Sequence, residues 1–390
     1  MAISRIFGLE HLPQGETSGA LNTQFGLAGL GLIPAIQVSS VPSGGILAFT
    51  VNGNKIEMAH RANASAINPG GSIGMTFRSL WGDDVYNNAA NIKKLVMGLH
   101  VDVNNPANNP VGIVYNNNAS VNSYHSNYGD LGYHCLSTGV VQAVANGALV
   151  ANAILPSSFY AEWVFRVSGS VAVGEFYVDG ILTASYTSTS SLAALITGGQ
   201  TIMMGGAPAT GQGTFATRLL YQTFSNWYTL YDDGTAGDAY VDRLGPITVR
   251  KIPVLSVDTN NWTPSGTPSD PASIFNLRRD NSTGTDTTAT PNLTSNTDES
   301  ALVARLDPSP LLLDPIAVQV SSSAVRPTAV AGNLDIAASY DGSTIAEKVF
   351  TDLVTGTVFF DRTVKPFSKL GVDEMTKANL ANLRVSLKPT

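Results

Sequence analysis

Residues 160–186, YAEWVFRVSGSVAVGEFYVDGILTASY, constrain the fold of this chain more tightly than any other stretch. Ala161, Trp163, Phe165 and Val167 fall on one side of an extended backbone and Glu162 and Arg166 on the other, the period-two alternation of a half-buried strand. After breaks at Gly169 and Gly174, Phe176 and Val178 point one way and Glu175, Tyr177 and Asp179 the other. Asp179-Gly180 supplies two residues that accept the positive φ of a type I′ turn, and residues 181–186 return alongside. The result is an antiparallel meander that covers a core on one face and meets solvent or a partner on the other.

The rest of the chain repeats this vocabulary. Asn52-Gly53-Asn54 reads as a second tight hairpin between residues 46–51 and 55–58. Strands are expected at 72–80, 95–103, 112–115, 202–206, 227–231 and 247–252, the last ended by Pro253. A polar insertion at 82–92 has room for one helical turn, and the apolar stretch 139–155 fits either a strand pair or a short helix. Short strands at this spacing imply a sandwich rather than a parallel sheet. From 254 to 305 the chain is rich in turn residues, and 281–300 holds hardly an apolar side chain, so it reads as an extended linker or clasping arm. Pro308, Pro310 and Pro315 open a further segment of short strand-like runs, which ends in a short helix with Asp373 as N-cap. The expected organisation is an N-terminal arm (1–45), a β-sandwich (46–253), the linker or arm (254–305) and a small C-terminal β domain (306–390).

Composition narrows the partners. Charged residues make up 13% of the chain, against about a quarter in soluble domains generally. A surface built from Asn, Ser, Thr and Gly suits a protein packed beside copies of itself or other subunits. The net charge of −7 argues against a phosphate-binding surface, and so against nucleic acid. One cysteine, Cys135, excludes an intrachain disulfide and fits folding in a reducing cytoplasm. Its neighbour His134 makes a thiolate mechanism conceivable, but a structural Cys is the stronger reading. The first residues lack a signal peptide's flanks, and no apolar run reaches the roughly 20 residues of a membrane span.

No constellation of a known reaction stands out. There is no nucleophile elbow, Walker loop or His-Glu-x-x-His helix, and none of the five histidines forms an i, i+4 pair. Glu175 and Asp179 share a strand face, as a glycosidase pair would, but a turn residue and a solvated carboxylate explain them better. Asp232, Asp233, Asp238 and Asp242 offer oxygens to Ca²⁺ without EF-hand spacing, and surface turns explain them equally. No cofactor or metal is therefore expected. For residues 116–133 a solvated connection is the stronger reading, but their Asn, Ser, Tyr and Gly also suit an adaptable binding loop, with Tyr124, Tyr128 and Tyr133 as the candidate contacts for a glycan or partner.

The order of these segments resembles a family of tailed-bacteriophage virion proteins with a concanavalin-like, laminin-G-like sandwich. The resemblance runs over residues 160–387 and rests on Trp163 in AEWVFRV, Tyr177-Val178-Asp179-Gly180, Tyr231-Asp232-Asp233, the Leu244-Gly245-Pro246 step, Trp262-Thr263-Pro264 and the stretch from Gly356-Thr357 to Met375-Thr376. It implies a mainly β fold, an antiparallel concanavalin-like jelly-roll sandwich with a smaller C-terminal β domain and one short C-terminal helix. It also implies a non-enzymatic virion subunit, most readily a tail component (sheath or tail surface), present in symmetric copies and assembled in the host cytoplasm. Its partners would be copies of itself and other virion proteins, without nucleic acid or membrane insertion. The alternatives are a carbohydrate-binding adhesin contacting host surface glycans and a capsid decoration protein.

Overall fold

The computed structural model describes residues 2–7, 15–16, 47–52, 55–60, 72–104, 111–116, 129–136, 138–198, 200–206, 219–235, 242–276, 292–294, 302–324, 333–350 and 360–390. Two compact units divide the chain, with the boundary between Val249 and Arg250.

The strands of the first unit are β1 (Ala2–Phe7), β2 (Gly15–Glu16), β3 (Leu47–Asn52), β4 (Lys55–His60), β5 (Ser72–Thr76), β6 (Lys94–Val103), β7 (Val111–Asn116), β8 (Leu131–Cys135), β9 (Val141–Ala145), β10 (Ala148–Leu155), β11 (Ser158–Ser168), β12 (Val171–Val178), β13 (Ile181–Thr187), β14 (Thr201–Gly206) and β15 (Leu219–Asp232). Its helices are short: α1 (Phe77–Trp81), α2 (Asp83–Asn87), a 3₁₀ turn (Ala89–Asn91) and α3 (Leu192–Thr197). Among the described residues, one sheet runs in the order β13-β12-β11-β6-β15-β4-β3-β2, and β1 adds to β15. The other runs β10-β9-β8-β7-β14-β5. β6 lines one side of β15, while β4 and β1 share the other, β4 beside residues 219–225 and β1 beside 227–231.

The meander forms as its alternation predicts. Trp163 pairs with Phe176 and Met97 across the sheet, and burial alternates strictly along β12. Asp179 and Gly180 both take positive φ, 47° and 84°, as a type I′ turn demands. The Asn-Gly hairpin is also in place, since Asn52 pairs with Lys55. Between the sheets lies an aromatic core. The Phe77 ring centroid sits 4.9 Å from Phe165 and 5.8 Å from Tyr115, and Trp163 is 4.8 Å from Phe176. Two polar contacts bridge the sheets within it: Trp163 Nε1 donates to the Leu131 carbonyl (3.1 Å) and the Tyr133 hydroxyl to Gln222 Oε1 (2.8 Å). Such groups remain inside a core only when their hydrogen bonds are made.

The second unit holds β16 (Val254–Asn260), β17 (Thr263–Ser265), α4 (Pro271–Asn276), β18 (Asn292–Thr294), β19 (Leu302–Leu306), β20 (Ser321–Ala324), β21 (Leu334–Tyr340), β22 (Ser343–Phe350), β23 (Phe360–Thr363), β24 (Lys369–Leu370), β25 (Asp373–Glu374), α5 (Lys377–Leu380) and β26 (Arg384–Pro389). Its main sheet has the order β16-β19-β26-β21-β22, and Leu302, Ile336, Leu380, Leu383 and Leu387 meet in its core.

Several expectations are corrected. Residues 2–7 are a strand of the sandwich rather than part of an arm, because β1 completes the open side of β15. At both ends of the expected linker, 254–305, the described residues are not free: β16 and β19 pair with each other, and β19 pairs with β26. Most of the polar run 281–300 lies outside the described residues. The strand expected at 72–80 stops at Thr76, where α1 begins. Residues 247–252 are not a strand. The C-terminal helix starts later than expected, capped by Thr376, whose Oγ1 accepts from Asn379 N (3.1 Å), while Asp373 lies in β25.

Two stability measurements follow. Trp163→Ala removes a fully buried indole and its bridging hydrogen bond, so urea denaturation should show the first unit destabilised by about 3–5 kcal/mol. In the second unit, burial and the neighbouring Glu347 push the Asp335 carboxyl above its usual range, with Lys388 pulling the other way. A carboxyl raised in the folded state loses stability as pH rises above its unfolded value. Asp335→Asn should therefore raise the melting temperature at neutral pH, with the gain vanishing in acid where both forms are uncharged.

Candidate functional site

The polar groups of the first unit concentrate on the outer face of the larger sheet. In register, Tyr177 on β12, Glu162 on β11, Gly98 on β6 and Tyr228 on β15 form one row across four strands. Gly98 carries no side chain, and a Cβ there would lie 2.3 Å from Tyr228 Cε1, so the Tyr228 ring reaches across the vacant position. Its hydroxyl donates to Glu162 Oε1 at 2.5 Å and accepts from Leu244 N at 3.0 Å. Glu162 is 0% exposed. Its Oε1 also accepts from Gly245 N (3.0 Å), and its Oε2 receives Arg243 Nη1 (2.8 Å).

The donors from 243–245 belong to a segment, residues 242–249, with no regular secondary structure, which lies over this face as a strap. Asp242 pairs with Lys94 at one end, and Val249 N donates to Asn226 Oδ1 (3.1 Å) at the other. Asn226 sits at φ 53°, where the pairing of β15 with β6 slips. Its carbonyl accepts from the Tyr160 hydroxyl (2.9 Å), and Tyr160 stacks on Tyr228 with ring centroids 6.4 Å apart. Burial and then the Glu162 carboxylate push the Tyr228 hydroxyl far above the ordinary phenol range, as they do for Tyr160, so both remain protonated donors. The Arg243 guanidinium covers the Tyr177 ring 3.6 Å from its centroid. The Tyr177 hydroxyl donates to Glu175 Oε2 (3.0 Å), and Glu175 Oε1 receives Arg166 Nε (2.9 Å) and Nη2 (2.7 Å). Glu162 and Tyr228 are thus buried in an intrachain network and not solvated as their outward alternation suggested, while Arg166 at the end of the network remains 44% exposed.

A second polar cluster occupies the same face beyond Tyr160. Ser158 Oγ donates to Asp102 Oδ1 (2.7 Å), while Lys55 Nζ and Thr223 Oγ1 each lie 3.2 Å from Oδ2. Burial pushes the Asp102 carboxyl up, but the bonds from Ser158 and Lys55, with His100 nearby, outweigh it and hold the group below the usual range. Ser158, His100 and Asp102 are the residue types of a nucleophilic triad, but the connectivity differs. The hydroxyl donates to the carboxylate, His100 Nε2 is 3.4 Å from Ser158 Oγ, and His100 Nδ1 is 3.8 Å from Asp102. A triad needs the hydroxyl to donate to the imidazole rather than to the carboxylate, at about 2.6–3.2 Å.

The sequence-predicted residues fare unequally. Tyr124 and Tyr128 lie outside the described residues. Tyr133 is 0% exposed, packed between Phe159 (5.2 Å) and Phe176 (6.4 Å), so it is a core residue and not a surface contact. Asp179 Oδ1 accepts from Tyr160 N (2.8 Å), which leaves Glu175 and Asp179 in separate structural roles. Asp232 and Asp233 cap their own turn at Gly234 N and Thr235 N (both 2.9 Å), and Asp242 serves Lys94; Asp238 lies outside the described residues. Among the described residues, no group of three His, Cys, Asp or Glu side chains could hold a metal ion. His134 and Cys135 are both buried in β8. The residues missed by sequence reasoning are Arg243, Tyr228 and Gly98; a glycine inside the apolar run of β6 was the one available signal of close approach.

The class defined by this fold is a concanavalin-like antiparallel β-sandwich with a smaller β unit after it. No protein-family model and no curated protein sequence matches the chain. Among solved structures, the chain is similar to an alginate lyase, Aly36B (9% identity, 59% of this chain and 97% of that one, TM-score 0.34). It is also similar to the alginate lyase from Corynebacterium sp. (14%, 51% and 86%, TM-score 0.31) and an endo-1,3-beta-glucanase from Streptomyces sioyaensis (12%, 46% and 77%, TM-score 0.27). A sialidase matches over 48% of this chain but 16% of its own length, at a TM-score of 0.30. None of these activities passes to this chain from similarity of that degree.

Removing one member of a buried ion pair strands the other. Arg243→Ala should lower the unfolding free energy of the first unit by about 3–5 kcal/mol in urea titrations. Adding Glu162→Gln to it should restore most of that loss, a coupling that a double-mutant cycle measures directly.

Proposed function

We propose that this chain is a non-enzymatic structural subunit that works in symmetric copies. On the sequence resemblance, we place it in a tailed-bacteriophage virion as a tail component. The observation that carries the non-enzymatic reading is the strap. The carboxylate, arginine and tyrosines that a sugar-processing face would present are consumed in bonds within the chain, with Glu162 sealed beneath Arg243 and Gly245. The Leu244-Gly245-Pro246 step, one of the motifs of the resemblance, lies in that covering segment. The low charge supports assembly, because a surface poor in Asp, Glu, Lys and Arg carries little like-charge repulsion between copies.

The decisive experiment images the purified chain by negative-stain electron microscopy and follows it by sedimentation, with glycan-array binding and polysaccharide cleavage measured on the same sample. Rings, tubes or sheets of identical subunits without glycan binding are expected. Glycan binding that Tyr128→Ala abolishes would replace this reading with the adhesin. Cleavage lost in Glu175→Gln, or labelling by a serine-reactive fluorophosphonate lost in Ser158→Ala, would replace it with an enzyme.

A further inference from the structure

The two sheets of the sandwich end in edge strands that touch each other, β13 for the larger sheet and β10 for the smaller. Among the described residues, each leaves one row of backbone N–H and C=O groups without a ladder partner, a template on which another strand can pair. Soluble monomers guard such edges with lysine, proline or inward charge. Neither strand here contains any of these, and both lie in long runs without charge. No Asp, Glu, Lys or Arg occurs in 131–161 or in 180–217. The side they form also exposes apolar side chains, Ile154 at 69%, Ile181 at 71% and Leu182 at 52%.

We infer that this side is an interface between two copies of the chain, with β13 pairing antiparallel to its own symmetry mate. The inference rests on the self-assembling reading above and names the face involved. Charge selects the occupant. The chain's excess of acidic residues lies elsewhere in the sequence, and this uncharged side is where two copies meet without like charges opposed. A strand paired antiparallel with itself also closes under a two-fold axis, so the contact is self-complementary and finite. Pairing of β13 with β12 slips between Phe176 and Tyr177, which leaves residues 184–187 as the regular run that extends the sheet.

The test is sedimentation velocity of the full chain over a concentration series, with Ile181→Lys/Ser185→Lys on the edge and Val372→Lys, an exposed position in the second unit, as control. The wild type should associate, the edge variant should raise the dissociation constant by at least about tenfold, and the control should match the wild type. Circular dichroism melting establishes that the variants fold. In a chain otherwise wild type, Ser185→Cys should give a covalent dimer under oxidation that the wild type, whose Cys135 is buried, does not form. Unaltered association of a folded edge variant, together with no cross-link from Ser185→Cys, overturns this face while self-assembly through another stands. A wild type monomeric at every concentration overturns both.

Discussion

The carboxylate of Glu162 is the constraint around which the first unit is arranged. Strand alternation places it opposite the aromatic core, where a glutamate ordinarily meets water, but the strap covers it completely. A buried anion without compensation is costly by several kcal/mol, so the surrounding sequence is committed to satisfying it. Tyr228 gives its hydroxyl proton, Gly245 its amide and Arg243 its charge. Gly98 is kept without a side chain so that Tyr228 can reach. Three segments, β6, β15 and the strap, therefore depend on one side chain of β11, and the outer face becomes a second core, polar where the first is aromatic.

This arrangement explains which parts of the fold are legible in the sequence. Residues 160–186 declare themselves because each local signal agrees: alternation in β11 and β12, a turn whose two residues accept positive φ, and Trp163 pointing inward with the other large rings. The short helices do not, since α1, α2 and α3 span five or six residues each, too few for a helical period to emerge. Residues 247–252 alternate like a strand, but their neighbours' side chains claim the backbone: Asn226 takes the amide of Val249 where a ladder partner would stand. Residues 254–305 read as a linker because β16 is shallowly buried and rich in polar residues, yet Leu302, Ala304 and Leu306 of β19 enter the core of the second unit.

The candidate site was harder to read for a related reason. Tyr133 sits in a tract of Asn, Ser and Tyr that resembles a binding loop, and only the pairing of β8 with β7 and β9 turns it into the sheet interior. Glu162 and Arg243 are 81 positions apart, and no local pattern links them. Charge distribution is legible without any structure, whereas its meaning is not: the two uncharged runs become significant only once topology puts β10 and β13 at the edges of adjoining sheets.

The separation of Glu162 from its partners also has a kinetic side. Its bonds span 66, 81 and 83 residues, and each can form only after β11, β6 and β15 have aligned. The strap has no regular secondary structure of its own, and its acceptor exists only where β11, β6 and β15 lie side by side, so the strap docks onto a sheet already assembled. Interactions made late act chiefly on the rate of opening rather than of folding. The strap thereby serves as a retaining clip: it contributes little to finding the native state and much to the time the folded chain remains in it.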